Sequence, residues 1–101
     1  MAFNVQVAEE AYVGLESAVA YIARILCEPS AATKLLDSFD EFIDTVAALP
    51  ELYPLCVEDR LASQGLRKAL VEGYITLYMI EGKTVYVIGF FHQTQDYAKL
   101  V

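Results

Sequence analysis

Positive charge is scarce in this chain: seven lysines and arginines stand against fourteen aspartates and glutamates, a formal charge of -7 at pH 7. Phosphate binding draws its strength from clustered Lys and Arg, so a general affinity for nucleic acid is disfavoured. Cysteine is nearly absent. Cys27 and Cys56 are the only two, and no CxxC or His/Cys spacing accompanies them. In a cytosolic chain so distant a pair reads as two buried small side chains rather than a disulfide, and no metal or cofactor is expected. There is no serine nucleophile motif and no phosphate-cradling glycine loop. No apolar run approaches the roughly 18 residues of a membrane span. The opening MAFNVQVAEE has no basic segment followed by an apolar one. Neither a secretion signal nor membrane association is therefore expected, which leaves the cytoplasm.

Apolar character, by contrast, is abundant. Hydrophobic residues make up 56% of the 101 positions, enough for one core, so a single domain over residues 1–101 is expected, with some apolar surface left for a partner. The charges divide unevenly. Residues 1–59 carry eleven acids against Arg24 and Lys34, a net of -9, whereas residues 60–101 carry five cations against three acids, a net of +2. An anion would meet the second of these regions; acids that solvate outer helix faces account equally well for the first.

Three strand-like runs lie close together near the end: Leu66–Val71, Tyr74–Ile80 and Thr84–Phe91. Their Val, Ile, Tyr, Phe and Thr suit a pleated surface. Glu72-Gly73 and Glu81-Gly82-Lys83 are short enough to join antiparallel neighbours. An antiparallel meander results, and the alternating Phe3, Val5 and Val7 supply a further strand that must join it. Between them lie two helical patterns. The first opens at Glu9 and Glu10, where acids suit the helix dipole, and ends before Pro29; the second begins at Pro29 and runs to Leu49. Residues 50–64, with Pro50 and Pro54, read as a connecting loop. The expected fold is α+β, in the order β-α-α-β-β-β, with a small antiparallel sheet packed on a two-helix hairpin.

Neither face of the second and third strands alternates apolar with polar, although two helices can cover only one face. Either the loop and the C-terminal tail cover the other, or a partner chain or second copy does, which would make a homodimer one option. Ile75, Leu77, Met79, Phe90 and Phe91 are the candidate partner-binding residues. His92, the only histidine, and Tyr97 follow the last strand and are candidates for proton transfer, the tyrosine if its pKa is lowered. Arg67 and Lys68 are candidate phosphate contacts that would have to reach the same region. The structural alternatives are a hydrogen-bonded histidine beside two phenylalanines and an Asp96 that caps or anchors the tail.

The run GLRKALVEGYITLYMIEGKTVYVIGFFHQTQDYAKLV, with Leu49-Pro50-Glu51-Leu52-Tyr53-Pro54 before it, resembles the RelE/ParE superfamily of bacterial toxins from type II toxin–antitoxin pairs, including plasmid stabilisation proteins. The resemblance extends over essentially the whole chain. It implies the same sheet-on-hairpin fold and, as partner, a cognate antitoxin whose disordered segment folds over the sheet and tail. It implies one of two targets: ribosome-bound messenger RNA, cut through a ribose 2′-hydroxyl, or DNA gyrase, poisoned without such an active site. Arg67 and Lys68 match the family's basic strand, His92 the residue closing its last strand, and Asp96-Tyr97 its D-Y tail. Two departures bear on the target. Gln93-Thr94-Gln95 replaces the family's G-R-R, and Ile75 stands where messenger-cleaving members often carry arginine. Losing those guanidiniums removes charge that would stabilise a phosphorane, which argues against a ribonuclease. A non-catalytic interaction module that has lost toxicity is the alternative.

Overall fold

The structure is a computed structural model and describes residues 2–101. Its elements are β1 Asn4–Val7, α1 Glu9–Ala20, a π-helical turn Tyr21–Ile25, α2 Pro29–Ala48, α3 Asp59–Ser63, β2 Arg67–Val71, β3 Tyr74–Glu81, β4 Thr84–His92 and α4 Tyr97–Leu100. The sheet order is β1-β4-β3-β2. β2, β3 and β4 form the expected antiparallel meander. The sheet as a whole is mixed rather than purely antiparallel, because β1 lies parallel to β4, with Asn4 opposite Thr84 and Val7 opposite Val87. The parallel edge follows from the connection: the helical hairpin, α3, β2 and β3 lie between β1 and β4, so no tight turn constrains their relative direction.

Local chemistry explains the elements. Glu72 and Gly73 take positive φ values of 50° and 82°, the conformation that lets a two-residue turn follow the strand twist. The Glu72 carboxylate also accepts a hydrogen bond from the Ser38 hydroxyl at 2.8 Å, tying this turn to α2. Glu9 and Glu10 occupy the first turn of α1, and Pro29 begins α2. Between them the chain widens into the π-helical turn, where the Leu26 N–H donates to the Tyr21 carbonyl, five residues back, at 3.1 Å. Cys27 then reverses the chain with φ 54°. That position leaves Cys27 exposed, in contrast to the expected burial, whereas Cys56 is buried; both are free thiols.

The core sits between the sheet and the hairpin. Ala11, Leu15 and Ala18 of α1 and Leu35, Phe39, Phe42 and Val46 of α2 pack on Ala69, Val71, Tyr78, Val85, Val87 and Phe90. α1 lies so close to β4 that a Cβ at Gly14 would stand 2.4 Å from the Phe90 carbonyl oxygen. The opposite face is covered as well. Cys56 and Leu61 from the loop region, with Leu66 just ahead of β2 and Tyr97, bury Ile75 and Leu77, with Met79, Ile88, Phe91, Ala98 and Val101 around them. The stretch expected as plain loop therefore contains α3, and the tail forms the single turn of α4; together they give the sheet its second layer.

A β-bulge accounts for the pattern of β4. Leu77 pairs with Gly89 but Tyr78 with Val87, so one residue of β4 has no partner. Side-chain parity reverses there: Val85 and Val87 face the helices before the bulge and Phe90 after it, while Ile88 and Phe91 face the other way. Strict alternation places Phe90 on the face opposite Val85 and Val87, and the bulge is why it is not.

Candidate functional site

Arg67 and Lys68 are neighbours on one strand, so the pleat sends them to opposite faces. The Arg67 guanidinium donates to the Tyr53 carbonyl at 2.7 Å, with the Glu51 carbonyl at 3.5 Å, and so holds the end of the loop rather than facing solvent. Lys68 crosses to the tail. Its ammonium stands 5.4 Å from the centre of the Tyr97 ring and 3.5 Å from the Tyr97 hydroxyl.

Tyr97 is buried, and its hydroxyl donates to the Glu58 carboxylate, with both oxygens at 2.8 Å. Burial and the carboxylate hold the Tyr97 proton in place, pushing its pKa up to about 12. This is the reverse of the lowered value that proton transfer requires. The same hydrogen bond draws the Glu58 carboxyl below its ordinary value. Burial, with Glu58 nearby, pushes the Cys56 thiol up. Arg60 completes this group by donating to the Ala98 and Val101 carbonyls, the latter at 3.0 Å. Asp96 makes no side-chain cap to α4; its carboxylate lies 3.7 Å from the Lys99 ammonium on the surface.

His92 is elsewhere. It pairs with Tyr74 across the strands, while Arg67 pairs with Tyr78, four residues further along β3. That offset is roughly 13 Å along the strand and about 10 Å across it. The His92 ring meets Tyr74 edge-on at 5.4 Å, and Tyr74 stacks on Phe90 at 5.0 Å. The Thr94 backbone N–H donates to Nδ1 at 3.2 Å, and the Thr94 hydroxyl lies 2.7 Å from the same nitrogen. The His92 backbone N–H donates to the Gln95 side chain at 2.8 Å. The neutral tripeptide Gln93-Thr94-Gln95 thus builds the turn that holds this ring.

The four proton-transfer and phosphate candidates do not converge. Lys68 and Tyr97 meet on one face of the sheet, His92 lies against Tyr74 on the other, and Arg67 is engaged by the loop. Ile75 and Leu77 lie beneath the tail, Met79 and Phe91 at its margin, and Phe90 in the core against the helices. Glu58 and Arg60, which organise the tail, lie in the segment that its prolines marked as a loop. The only local signal for them is Glu58-Asp59 ahead of Leu61, acids at the start of a short amphipathic turn.

An open cleft of about 710 Å³ lies between α1, the end of β4 and the tail. Val13, Tyr21 and Leu100 border it, each more than half exposed, with Glu10 on the rim and Tyr74 and His92 in the wall. No group of three or more His, Cys, Asp or Glu among the described residues is arranged to hold a metal ion. No helix among them is long and apolar enough to cross a membrane.

The profile of the ParE toxin of the type II toxin–antitoxin system, parDE, matches residues 5–97. Among solved structures, a chain from "Chromosomal ParDE TA system from P. aeruginosa" has the same fold, with a TM-score of 0.71 at 13% sequence identity; the match covers 89% of this chain and 95% of that one. No curated protein matches the sequence.

Proposed function

Because the chain belongs to the ParE toxin family of type II toxin–antitoxin systems, we propose that it is the toxin of such a pair and stops growth by binding DNA gyrase rather than by cutting messenger RNA. The observation behind this is the dispersal of the candidate catalytic groups. Cleavage at a ribose 2′-hydroxyl needs a proton acceptor and a cation at one phosphate. Here the tyrosine keeps its proton, the arginine is bound to the Tyr53 carbonyl, and the histidine lies on the other side of the sheet. A toxin that works by contact needs none of these at a common point. The cytoplasm is then the compartment in which it acts.

The antitoxin, in this proposal, lies along the cleft beside α1. Its apolar border of Val13, Tyr21 and Leu100 fits the apolar stripe of an amphipathic segment, and Glu10 with the acidic first half of the chain favours basic residues on the flanks of that segment. The test of the target is pulse-labelling of new DNA and new protein in bacteria within minutes of inducing this chain alone. DNA synthesis is expected to fall first. If protein synthesis fell first while DNA synthesis continued, the gyrase reading would be wrong and the ribosome would be the target.

A further inference from the structure

The two walls of the cleft beside α1 carry groups that one kind of side chain satisfies together. Tyr21 stands on the helical wall, about half exposed, where α1 passes into its π-helical turn. Tyr74 stands on the sheet wall and is held rigidly, stacked on Phe90 at 5.0 Å and met edge-on by His92 at 5.4 Å. Burial pushes the Tyr74 phenol up, and the Tyr21 phenol pushes it further, so the two phenols lie within electrostatic reach of one another across the cleft. Among the described residues the tyrosine hydroxyls bonded to protein groups are those of Tyr78 and Tyr97. Those of Tyr21 and Tyr74 are left to whatever enters the cleft. Glu10 is the only Asp, Glu, Lys or Arg in the lining.

This combination selects among occupants. An anion would meet Glu10 and no lysine or arginine. A purely apolar group would cover the phenol hydroxyls without giving them partners, which is unfavourable. A lysine ammonium is a strongly hydrated point charge, whereas a guanidinium is planar and weakly hydrated, lies flat against an aromatic ring and spreads five donors around its edge. We propose that the cleft recognises a guanidinium: an arginine of the partner segment lies between Tyr21 and Tyr74, with its fork toward the Glu10 carboxylate and its remaining N–H groups toward the phenol hydroxyls. The rigid stacking of Tyr74 means that little ordering has to accompany binding. This inference rests on the reading of the cleft as the antitoxin's place and adds the residue that anchors the antitoxin there.

His92 is the only histidine and lines the cleft, so its ring resonances in the full-length protein report occupancy at fixed pH. Titration with Nα-acetyl-arginine amide is expected to shift them saturably, with the lysine analogue weaker by about threefold or more and the neutral citrulline analogue giving no saturable shift. Glu10→Gln and Tyr21→Leu, both at exposed positions, are each expected to weaken the arginine analogue by about threefold or more. Glu16→Gln and Tyr12→Leu, exposed on α1 outside the cleft, are expected to leave it unchanged. The inference is overturned if no analogue gives a saturable shift, if citrulline or lysine matches arginine, or if Glu10→Gln and Tyr21→Leu saturate at the wild-type concentration. A co-expressed antitoxin, identified as the protein that relieves growth arrest by this chain, separates the inference from the reading beneath it. If Val13→Asp escapes neutralisation and Glu10→Gln does not, the antitoxin occupies the cleft without an arginine anchor and the inference alone fails. If both variants remain neutralised, the antitoxin lies elsewhere and that reading fails, while the titration still decides whether the cleft takes a guanidinium.

Discussion

Gly14 offers the sharpest test of how the hairpin sits on the sheet. In an exposed helix interior, exchanging glycine for alanine stabilises by about 1 kcal/mol, because glycine has more backbone freedom to lose. Here the added Cβ would stand 2.4 Å from the Phe90 carbonyl oxygen and 3.3 Å from its Cβ. The first distance is far inside van der Waals contact, and the obstructing atom is backbone in the middle of the sheet, so α1 and β4 must separate by more than half an ångström. Ala11, Leu15 and Ala18 bind α1 to Val87 and Phe90 through that contact, and all of them loosen together. Overpacking of this kind costs about 1–3 kcal/mol. Because the 2.4 Å contact is with backbone, the cost lies in the upper part of that range, about 2–3 kcal/mol; set against the helix-propensity gain of about 1 kcal/mol, Gly14→Ala is expected to be net destabilising by about 1–2 kcal/mol, equivalent to a fall in Tm of roughly 5–10 °C for a domain of this size. Urea denaturation, with Ser17→Ala on the exposed side of α1 as a propensity control, measures it. If Gly14→Ala equals or exceeds the wild type in stability, α1 does not approach β4 this closely and the packing described above is wrong.

Three further predictions rest on single residues. Thr76 is fully buried with an unpartnered hydroxyl, so Thr76→Val is expected to keep or raise stability, by up to about 1 kcal/mol; a loss larger than that in the urea midpoint would show that the hydroxyl has a partner. The Tyr97–Glu58 bond makes a pH-dependent contribution. Tyr97 has a folded pKa of about 12 against an ordinary value of 10, so its stabilisation is complete below pH 10 and disappears as the pH rises to 12; Glu58 is depressed below its ordinary 4.5, so its part is present above that value and is lost as the pH falls through the depressed one. The stability difference between wild type and Tyr97→Phe should therefore shrink at both extremes, and a difference that stays flat from acid to alkali contradicts the assignment. Finally, Arg67→Ala removes a charge-assisted bond to the Tyr53 carbonyl and should cost about 1–2 kcal/mol of stability, while an induced-growth assay still shows toxicity at a temperature where the variant is folded; loss of toxicity in a fully folded variant would return Arg67 to the mechanism.

Much of this architecture is readable along the chain. Alternation in the meander, the turn at Glu72-Gly73, the acids opening α1 and the proline opening α2 act within a few residues of one another, and the four strands and the starts of α1 and α2 form within a residue or two of where those signals place them, whereas α1 gives way to the π-helical turn well before Pro29. The candidate site was less legible. Arg67, Lys68, His92 and Tyr97 can be picked out as chemistry-bearing residues, but whether they meet depends on register and on which face each side chain takes. The Phe90 and Phe91 pair shows the difficulty: alternation assigns them to two faces correctly, yet the bulge at β4 exchanges which face is which. Gly89 is the one local hint, since a glycine inside a strand often marks a bulge, but which residue is extra is set by how β4 pairs with β3.

The division between the two levels follows from the range of the forces involved. Backbone sterics, capping and periodic burial act over one or two turns, so the order of elements and the identity of the apolar faces are properties of the chain read in one dimension. The parallel alignment of β1, the covering of the second sheet face and the retention of the Tyr97 proton depend on groups from separate segments of the chain, Glu58 and Tyr97 being 39 residues apart. Such contacts exist only once the sheet has brought their segments together, since the cost of closing those loops is repaid by burial of the whole face and not by any one pair.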